Sequence, residues 1–241
     1  MSAESNNIIL GVKDLVAGYG KKQILNGISL EVATAEIVTL IGHNGAGKST
    51  LLKAVFGIIP MWRGQFSFEG KTILSPNPRE LLLQGIAYVP QGNRVFTDLT
   101  VKENIEVAGN TLPSKNERSE GMEKALAWFP SLRELFNQRA GTLSGGEKQM
   151  LALASGLVTS PRLLLLDEPS LGLAPPLVSE ALEHIKTISQ EQGVTVLIVE
   201  QKVREVLKIA NRVYVLRNGS VSFTGLASDL QDEAKLREVY L

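Results

Sequence analysis

A glycine-rich stretch, GHNGAGKS, occupies residues 42–49 and directly follows EIVTLIG at residues 36–42, a run typical of a buried strand. The stretch fits the pattern G-x-x-x-x-G-K-S between a strand and a helix, which is the context that identifies a phosphate-binding loop. Gly42, Gly45 and Gly47 let the backbone curl so that its N–H groups point inward at an anion. An ordinary glycine-rich turn is the alternative, and it accounts for the full pattern less well. The sequence therefore predicts a strand, a tight loop and a helix in that order, as in α/β proteins.

Four polar residues supply the chemistry that such a loop requires. Lys48 is expected to neutralise the β- and γ-phosphates of a nucleotide, and Ser49 to ligate Mg²⁺. Asp167 follows four leucines at a strand end, where it can hold the hydration shell of Mg²⁺ beside the phosphates. Glu168 is the next residue and could orient or deprotonate an attacking water. Alternatively, this Asp-Glu-Pro sequence only caps the following element.

Short β-branched runs alternate with longer amphipathic segments, which predicts an α/β fold. Three apolar runs end in polar residues, as parallel strands buried on both faces do when the chemistry lies at their C-terminal ends. They are GIAYVPQ (85–91), RLLLLDE (162–168) and VTVLIVEQ (194–201). Two other stretches predict hairpins: GQFSFEGKTI (64–73), and RVYVLRNGSVSFTG (212–225) with its Asn-Gly turn.

The strand pattern disappears between Val101 and Thr159, which predicts a helical subdomain there. A polar stretch inside this segment, LPSKNERSEG (112–121), is predicted to be a loop. Nearer the C-terminus, KVREVLKIANR (202–212) is predicted to be an ordinary amphipathic helix and not a membrane anchor.

The amino-acid composition limits which partners the protein is expected to bind and where it is expected to reside. The 241 residues, 44% of them hydrophobic, can bury a sizeable core as one domain. Lysine plus arginine equals aspartate plus glutamate at 25 each, so no basic field predicts binding to nucleic acid. Cysteine is absent, which removes disulfides and thiolate metal sites. The start, MSAESNN, lacks the regions of a signal peptide, and no apolar run approaches the roughly 20 residues that span a bilayer. We expect a soluble protein, or one that reaches a membrane only through a partner.

A second glycine-containing motif, LSGGEKQM, spans residues 143–150. Ser144 and Glu147 form a capping box, which predicts that a helix begins here. Gly145 and Gly146 are unexplained by capping, because each glycine in a helix costs about 0.8–1 kcal/mol relative to alanine. A helix start without side chains does allow an anion to approach bare N–H groups at the positive end of the helix dipole.

The phosphate loop, the LLLLDEP stretch and LSGGE together resemble the ATP-binding subunits of ABC transporters, over nearly the whole chain. The resemblance implies ATP and Mg²⁺ as cofactors. It also implies a P-loop NTPase core of α/β class with a small antiparallel β subdomain and a helical subdomain. We expect one ABC ATPase domain over 1–241, with the core and β subdomain in 1–94 and 160–241 and the helical subdomain at about 95–159. In that family LSGGE binds the γ-phosphate of ATP held by the opposite subunit, which would explain the two glycines.

The resemblance assigns roles residue by residue. The catalytic residues would be Glu168 and Gln201, and the Mg²⁺ ligands Ser49, Gln91 and Asp167. Tyr19 stands where an aromatic residue stacks on adenine, although read alone it is more simply a packing residue. The other nucleotide contacts would be Gly42, Asn44, Gly45, Ala46, Gly47, Lys48, Ser49, Thr50 and Gln91, with Ser144, Gly145, Gly146 and Glu147 serving the partner's ATP.

The sequence departs from the general ABC pattern at three positions. Glu147 replaces the commoner glutamine of the LSGGE motif and leaves Ser144 and the glycines intact. Ala174 stands where many ABC proteins carry an aspartate. Gln201 stands where a histidine usually contacts the γ-phosphate; glutamine can donate a hydrogen bond but cannot carry a proton.

Within the family, four stretches resemble one ATP-binding protein of branched-chain amino-acid importers: DEPSLGLAP, NRVFTDLTVKENI, TLSGGEKQMLALA and VEQ. Urea and amide importers have similar ATPases, and the lipopolysaccharide-export ATPase shares an ending like LREVYL. The resemblance implies three kinds of partner: a second ATP-binding subunit, identical or related, transmembrane permease subunits, and indirectly a solute-binding protein. The chain would then be cytoplasmic, held on the inner face of the membrane by the permeases.

Two functions of another class remain as alternatives. One is a soluble ABC ATPase of DNA repair or translation; only about a hundred residues separate the phosphate loop from LSGGE, too few for the long coiled coil of repair ATPases. The other is a nucleotide-gated switch without turnover, against which Glu168 argues. His43 and His184 are predicted to have no functional role.

Overall fold

A computed structural model describes residues 7–92 and 94–240 of the chain. The first residues, on which the expected lack of a signal peptide rests, and the last residue of LREVYL lie outside this part. The described residues form ten strands: β1 Ile8–Tyr19, β2 Lys22–Ala33, β3 Ile37–Ile41, β4 Met61–Phe68, β5 Lys71–Ile73, β6 Ile86–Val89, β7 Leu163–Asp167, β8 Thr195–Val199, β9 Arg212–Arg217 and β10 Ser220–Leu226.

Helices connect the strands. They are α1 Lys48–Val55, α2 Pro78–Leu83, α3 Val101–Gly109, α4 Lys115–Trp128, α5 Ser131–Glu134, α6 Gly145–Leu157, α7 Pro175–Gln192, α8 Val203–Val206 and α9 Glu233–Tyr240, with short 3₁₀ turns at Ala140–Thr142 and Ala227–Leu230. In the described part of the chain, none of these helices combines the length and the apolar character needed to cross a bilayer.

The larger sheet has six strands in the order β10-β9-β3-β8-β7-β6. The five strands from β9 to β6 run parallel, and β10 pairs antiparallel with β9 at one edge. The α/β prediction and the three predicted parallel strands are therefore confirmed. Parallel strands need long crossover connections, and in this chain the helices provide them.

The smaller sheet is antiparallel, in the order β2-β1-β4-β5. Its β4–β5 pair is the hairpin predicted at residues 64–73. The sequence did not reveal the long β1–β2 pair, because that pair shifts register at several points and so breaks the alternation of apolar residues. One irregularity lies at Asp14, which has a positive φ of 51°.

The six-stranded sheet separates two hydrophobic cores. In β7, Leu163 and Leu165 face a core shared with α1 and the antiparallel sheet, whereas Leu164 and Leu166 face a core shared with helices α3, α4, α6 and α7. All four leucines are buried, and truncating a buried leucine to alanine costs about 2–5 kcal/mol. Packing on both faces therefore fixes the strand that ends in Asp167.

Two sequence-based predictions were wrong. The polar stretch at 112–121 is not a loop throughout, because α4 begins at Lys115. Ser114 accepts the Glu117 N–H and the Glu117 side chain accepts the Ser114 N–H, a capping box that starts the helix although its first two turns lack apolar residues.

The predicted amphipathic helix at 202–212 is also much shorter, since α8 contains only Val203–Val206. After it the chain continues in tight turns to Asn211. The backbone N–H of Asn211 donates to the Ile37 carbonyl oxygen at 2.8 Å, and its side-chain oxygen accepts the Ile37 N–H at 2.8 Å. This attachment to β3 draws the chain into the sheet, so the helix cannot continue.

Candidate active site

The C-terminal ends of β3, β8, β7 and β6 meet at one edge of the larger sheet, because these neighbouring strands are parallel. Each strand end leads into a segment that the sequence singled out. The phosphate loop follows β3, Glu168 follows β7, and Gln91 and Gln201 lie just beyond β6 and β8. The sheet order therefore brings together residues that are far apart in sequence.

The phosphate loop borders an open cavity of about 190 Å³. Gly47 adopts φ 103° and forms the N-cap of α1, and at Gly42 a Cβ atom would clash with the Leu216 carbonyl oxygen. A Cβ atom at Gly45 would instead have no protein atom within 4 Å. This bare backbone at the positive end of a helix has the shape and polarity that a phosphate requires. The cavity is lined by Ile24, Asn44, Gly45, Gly47, Lys48, Ser49, Thr50 and Glu168.

Lys48 lies under the loop with only 5% of its surface exposed. Its ammonium donates to the carbonyl oxygens of Gly42 at 2.7 Å and His43 at 3.1 Å. Burial lowers the pKa of Lys48, and the nearby carboxylates of Glu168 and Asp167 partly oppose this effect. A poorly solvated cation of this kind gains more from a bound anion than an exposed lysine does.

Asp167 is 1% exposed and accepts two side-chain hydrogen bonds. The Ser49 hydroxyl donates to one carboxylate oxygen at 2.7 Å, and the Tyr88 hydroxyl donates to the other at 3.0 Å. The pKa of Tyr88 is raised, first by burial and then by the negative charge of Asp167. Sequence analysis missed Tyr88, whose only signal is that it is the one residue of β6, Ile86–Val89, with a polar group on its side chain.

The oxygens of Ser49 and Asp167 form a small but suitable set for Mg²⁺. This ion prefers oxygen ligands and is usually bound by one or two carboxylates together with substrate phosphates and waters. Over residues 7–92 and 94–240, no three His, Cys, Asp or Glu side chains cluster as metal ligands. The hydroxyl of Ser49 and the carboxylate of Asp167 have the chemistry of ligands that would hold Mg²⁺ together with a nucleotide.

Glu168 receives hydrogen bonds from two glutamine amides. Gln91 donates to one carboxylate oxygen at 2.7 Å, and Gln201 donates to both oxygens at 2.8 Å. The backbone of Glu168 has a positive φ of 49°, and its N–H donates to the Val199 carbonyl oxygen at 2.8 Å. A strained conformation at a non-glycine residue costs about 1–3 kcal/mol and is concentrated at functional sites.

The LSGGE motif begins helix α6 as predicted, with Ser144 as N-cap. The Ser144 N–H donates to the Glu147 carboxylate at 2.7 Å, and the Ser144 hydroxyl accepts the Glu147 N–H at 3.3 Å. Ser144 and Gly145 are exposed. Ser144, Gly146 and Glu147 line a separate cavity of about 110 Å³, not the one beside the phosphate loop. A single chain therefore does not place this helix start against its own phosphate loop.

The remaining candidates lie in varied surroundings. Tyr19 ends β1 and is 46% exposed, so much of its side chain is accessible to solvent. Ala46 and Thr50 are buried within the loop and α1. Ala174 is the N-cap of α7 and provides no side-chain hydrogen bond, whereas an aspartate there could provide one. Ile24, which sequence analysis missed, lines the phosphate-loop cavity.

Both histidines pack against aromatic rings. The ring centroids of His43 and Tyr240 are 4.8 Å apart, and the Tyr240 hydroxyl donates to the Gly42 carbonyl oxygen at 3.3 Å. His184 lies 5.6 Å from Phe129 in an edge-to-face arrangement. These contacts show packing positions for both histidines and attach the end of α9 to the phosphate loop.

A strand, phosphate loop and helix, with a carboxylate pair at the end of a parallel strand of the same sheet, define a P-loop nucleotide-binding protein. Comparison with known families specifies the class: the ABC transporter family matches residues 25–171. The branched-chain amino acid transport ATP-binding protein BraG of Pseudomonas aeruginosa is 46% identical and covers 92% of this chain and 95% of its own length. The lipopolysaccharide export ATP-binding protein LptB of Acidithiobacillus ferridurans is 34% identical and covers 97% of this chain and 96% of its own length.

A solved structure agrees with this comparison. The ADP conformation of MJ1267, an ATP-binding cassette of an ABC transporter, aligns with a TM-score of 0.85 and 29% identity over 96% of this chain and 98% of its own. The chain belongs to the ABC transporter family. Proteins of this class bind ATP and hydrolyse it to power transport, so the chain is the ATPase subunit of an ABC transporter.

Proposed function

We propose that this chain powers the import of branched-chain amino acids. The observation that carries the proposal is the 46% identity to BraG over 92% of the chain, compared with 34% to the lipopolysaccharide export protein LptB. The same proposal includes a second ATP-binding subunit, transmembrane permease subunits, indirectly a solute-binding protein, and a cytoplasmic location. Permeases would hold the chain on the inner face of the membrane, and a solute-binding protein would deliver the amino acid to them.

This proposal is tested by reconstituting the chain with its permease subunits and second ATPase in proteoliposomes. Leucine, isoleucine or valine, added with the solute-binding protein, is expected to raise ATP hydrolysis several-fold, whereas urea and an acyclic amide should leave it at the basal rate. The physical reason is that only a liganded binding protein stabilises the closed state of the complex. Stimulation by lipopolysaccharide, or by urea alone, would contradict the assignment to branched-chain amino acids.

At the site itself, we propose that Lys48 binds the β- and γ-phosphates while Ser49 and Asp167 hold Mg²⁺, with Gln91 completing its ligands. The Mg²⁺ supplies positive charge that offsets the charge on the transferring phosphoryl group. The backbone N–H groups of residues 42–49 would hold the phosphate oxygens in place, and Tyr19 would stack on the base. These roles agree with the cavity beside the loop and with the desolvated ammonium of Lys48.

Glu168 is the residue that we propose orients and deprotonates the attacking water. Its carboxylate lines the phosphate cavity, and the amides of Gln91 and Gln201 hold it from two sides. A carboxylate has about four acceptor positions, so a water can bind while one or both amides remain in place. Gln201 would thus orient Glu168 through hydrogen bonds and would not need the proton-carrying ability of a histidine.

The Glu168→Gln variant is expected to bind ATP normally and to hydrolyse it about a hundredfold more slowly, a typical loss for a positioned general base. Single-turnover hydrolysis and equilibrium binding by the purified chain measure the two properties separately. An ATP-dependent dimer should accumulate and be visible by light scattering. Normal turnover in this variant would reduce Glu168 to a structural residue.

We also propose the division of the chain into a core with the β subdomain, residues 1–94 and 160–241, and a helical subdomain at about 95–159. The position of helices α3 to α6 supports it, because all four lie between residues 101 and 157. Both sheets are built from strands outside that segment.

A further inference from the structure

A second buried glutamate lies beside the proposed catalytic residues. Glu200 follows β8 and is 1% exposed. One of its carboxylate oxygens accepts the Ser170 backbone N–H at 2.8 Å. The other accepts the Gln201 backbone N–H at 3.1 Å, with the Lys202 N–H further away at 3.5 Å. One side chain therefore joins two segments of the chain that are 30 residues apart.

The two carboxylate oxygens of Glu200 suit this position. An ionised carboxylate only accepts hydrogen bonds, so each oxygen can receive an N–H group from a different segment. Burying a charge is costly unless such bonds compensate. Burial raises the pKa of Glu200, and the bonds from Ser170, Lys202 and Gln201 oppose that rise. Burying a carboxylate at this position therefore costs free energy of folding, which argues that Glu200 has a role there.

The two joined segments both carry functional groups. The first runs from Glu168 through Ser170 to Leu173, and the second carries Gln201, whose amide donates to Glu168. A second bond links the same segments, since the Lys202 ammonium donates to the Leu173 carbonyl oxygen at 3.2 Å. The Leu173 side chain in turn lies 3.9 Å from the place where a Cβ at Gly145 would stand. The connection thus reaches from Gln201 to the start of the LSGGE helix.

We propose that Glu200 is a positioning residue for ATP hydrolysis: by binding the Ser170 and Gln201 N–H groups together, it holds the Gln201 amide against the Glu168 carboxylate. The inference rests on the catalytic role proposed above for Glu168. Glu200 itself does not line the phosphate-loop cavity. Its effect is therefore on the rate of the chemical step and not on the affinity for ATP.

The test compares Glu200→Gln with a matched control in steady-state ATPase assays. The glutamine side chain has the same length, but its NH₂ group faces an N–H donor, so one of the two segments loses its bond. We expect kcat to fall about tenfold while KM for ATP changes less than about twofold, because small misplacements of catalytic groups reduce rate steeply. The control is Glu36→Gln: Glu36 is also buried, accepts the Ala33 N–H at 2.9 Å, and lies beside the N-terminal end of β3, away from the site. Its kcat should remain at the wild-type value.

A double-mutant cycle tests whether Glu200 acts through Gln201. If Glu200 acts through Gln201, then Glu200→Gln combined with Gln201→Ala should have the same kcat as Gln201→Ala alone, whereas independent effects would multiply. Lys202→Met, which removes the second link at a half-buried and more tolerant position, should lower kcat in the same direction by a smaller factor. This variant keeps the test valid even where Glu200→Gln fails to fold.

Several results would overturn the inference: multiplicative losses in the cycle, wild-type kcat in both Glu200→Gln and Lys202→Met, an equal loss in Glu36→Gln, or a rise in KM alone. Wild-type kcat in Gln201→Ala would overturn it as well. Failure of the proposed catalytic site is recognised separately, because Glu168→Gln would then turn over normally. A slow Glu168→Gln together with fully active Glu200→Gln and Lys202→Met refutes only the positioning role.

Discussion

Lys48→Ala is expected to abolish ATP binding by the purified chain. The buried Lys48 ammonium is the positive charge held within the phosphate loop, by the carbonyl oxygens of Gly42 and His43. The carboxylates of Asp167 and Glu168 are close enough to act on its pKa. Without the lysine, a triphosphate would meet backbone N–H groups together with two negative side chains, and the loop would hold no cation of its own to offset the charge of the phosphates. Isothermal titration with ATP and Mg²⁺ measures the effect.

Folding of this variant should be unaffected or nearly so. Burial lowers the pKa of Lys48, so folding pays to desolvate the ammonium, and removing it relieves that cost. Lys53→Ala is the matched control, because Lys53 lies on the same helix α1 and does not line the cavity. It should bind ATP with wild-type affinity. Near-normal affinity in Lys48→Ala itself, with thermal unfolding unchanged, would remove the phosphate-loop assignment.

Local signals made the phosphate-loop edge of the sheet predictable. GHNGAGKS predicts its own surroundings, because glycines, lysine and serine at this spacing are typical of one loop between a strand and a helix. The leucine run before Asp167 likewise indicates a strand buried on both faces. Because parallel strands end at a common edge, placing Asp167 and Glu168 near the loop needed no knowledge of strand order.

Contacts that depend on strand order were not predictable. Tyr88 reaches Asp167 because β6 lies beside β7, and Glu200 reaches Ser170 because β8 lies on the other side of β7. These pairs are 79 and 30 residues apart in sequence. No periodicity or spacing links them, and a single sequence contains no signal of which strands are neighbours. The antiparallel β1–β2 pair was hidden for a different reason, namely its register shifts.

Helix starts could be predicted from the sequence only in part. The helix at Lys115–Trp128 has a readable signal in Ser114 and Glu117, but its first two turns are so polar that composition favours a loop. The capping box decides the outcome locally, because it satisfies N–H groups that the first turn leaves unpaired. The same motif at Ser144 and Glu147 predicts a helix start, and Ser144 is the N-cap of α6.

Ser144→Arg is expected to lower ATP turnover about 10²–10³-fold, the typical loss when one preorganised donor to developing charge is removed. ATP binding by the isolated chain should remain near wild type. Ser144 does not line the phosphate-loop cavity of its own chain, and it is exposed at the start of α6, where a partner subunit can approach. Arginine there removes the hydroxyl and adds bulk at the proposed interface. Ser119→Arg, on the exposed face of α4, is the matched control and should keep full activity.

Mixing two inactive chains tests whether the motif serves the partner's ATP. The test applies where two copies of this chain pair. In a dimer of Ser144→Arg with Lys48→Ala, one composite site combines both defects, while the other joins an intact phosphate loop to an intact LSGGE helix. Partial activity should therefore return on mixing, although neither variant is active alone. Loss of ATP binding by monomeric Ser144→Arg would instead mean that the motif acts within its own chain. Full turnover in a folded Ser144→Arg would leave Ser144 only the capping role that its hydrogen bonds to Glu147 already show.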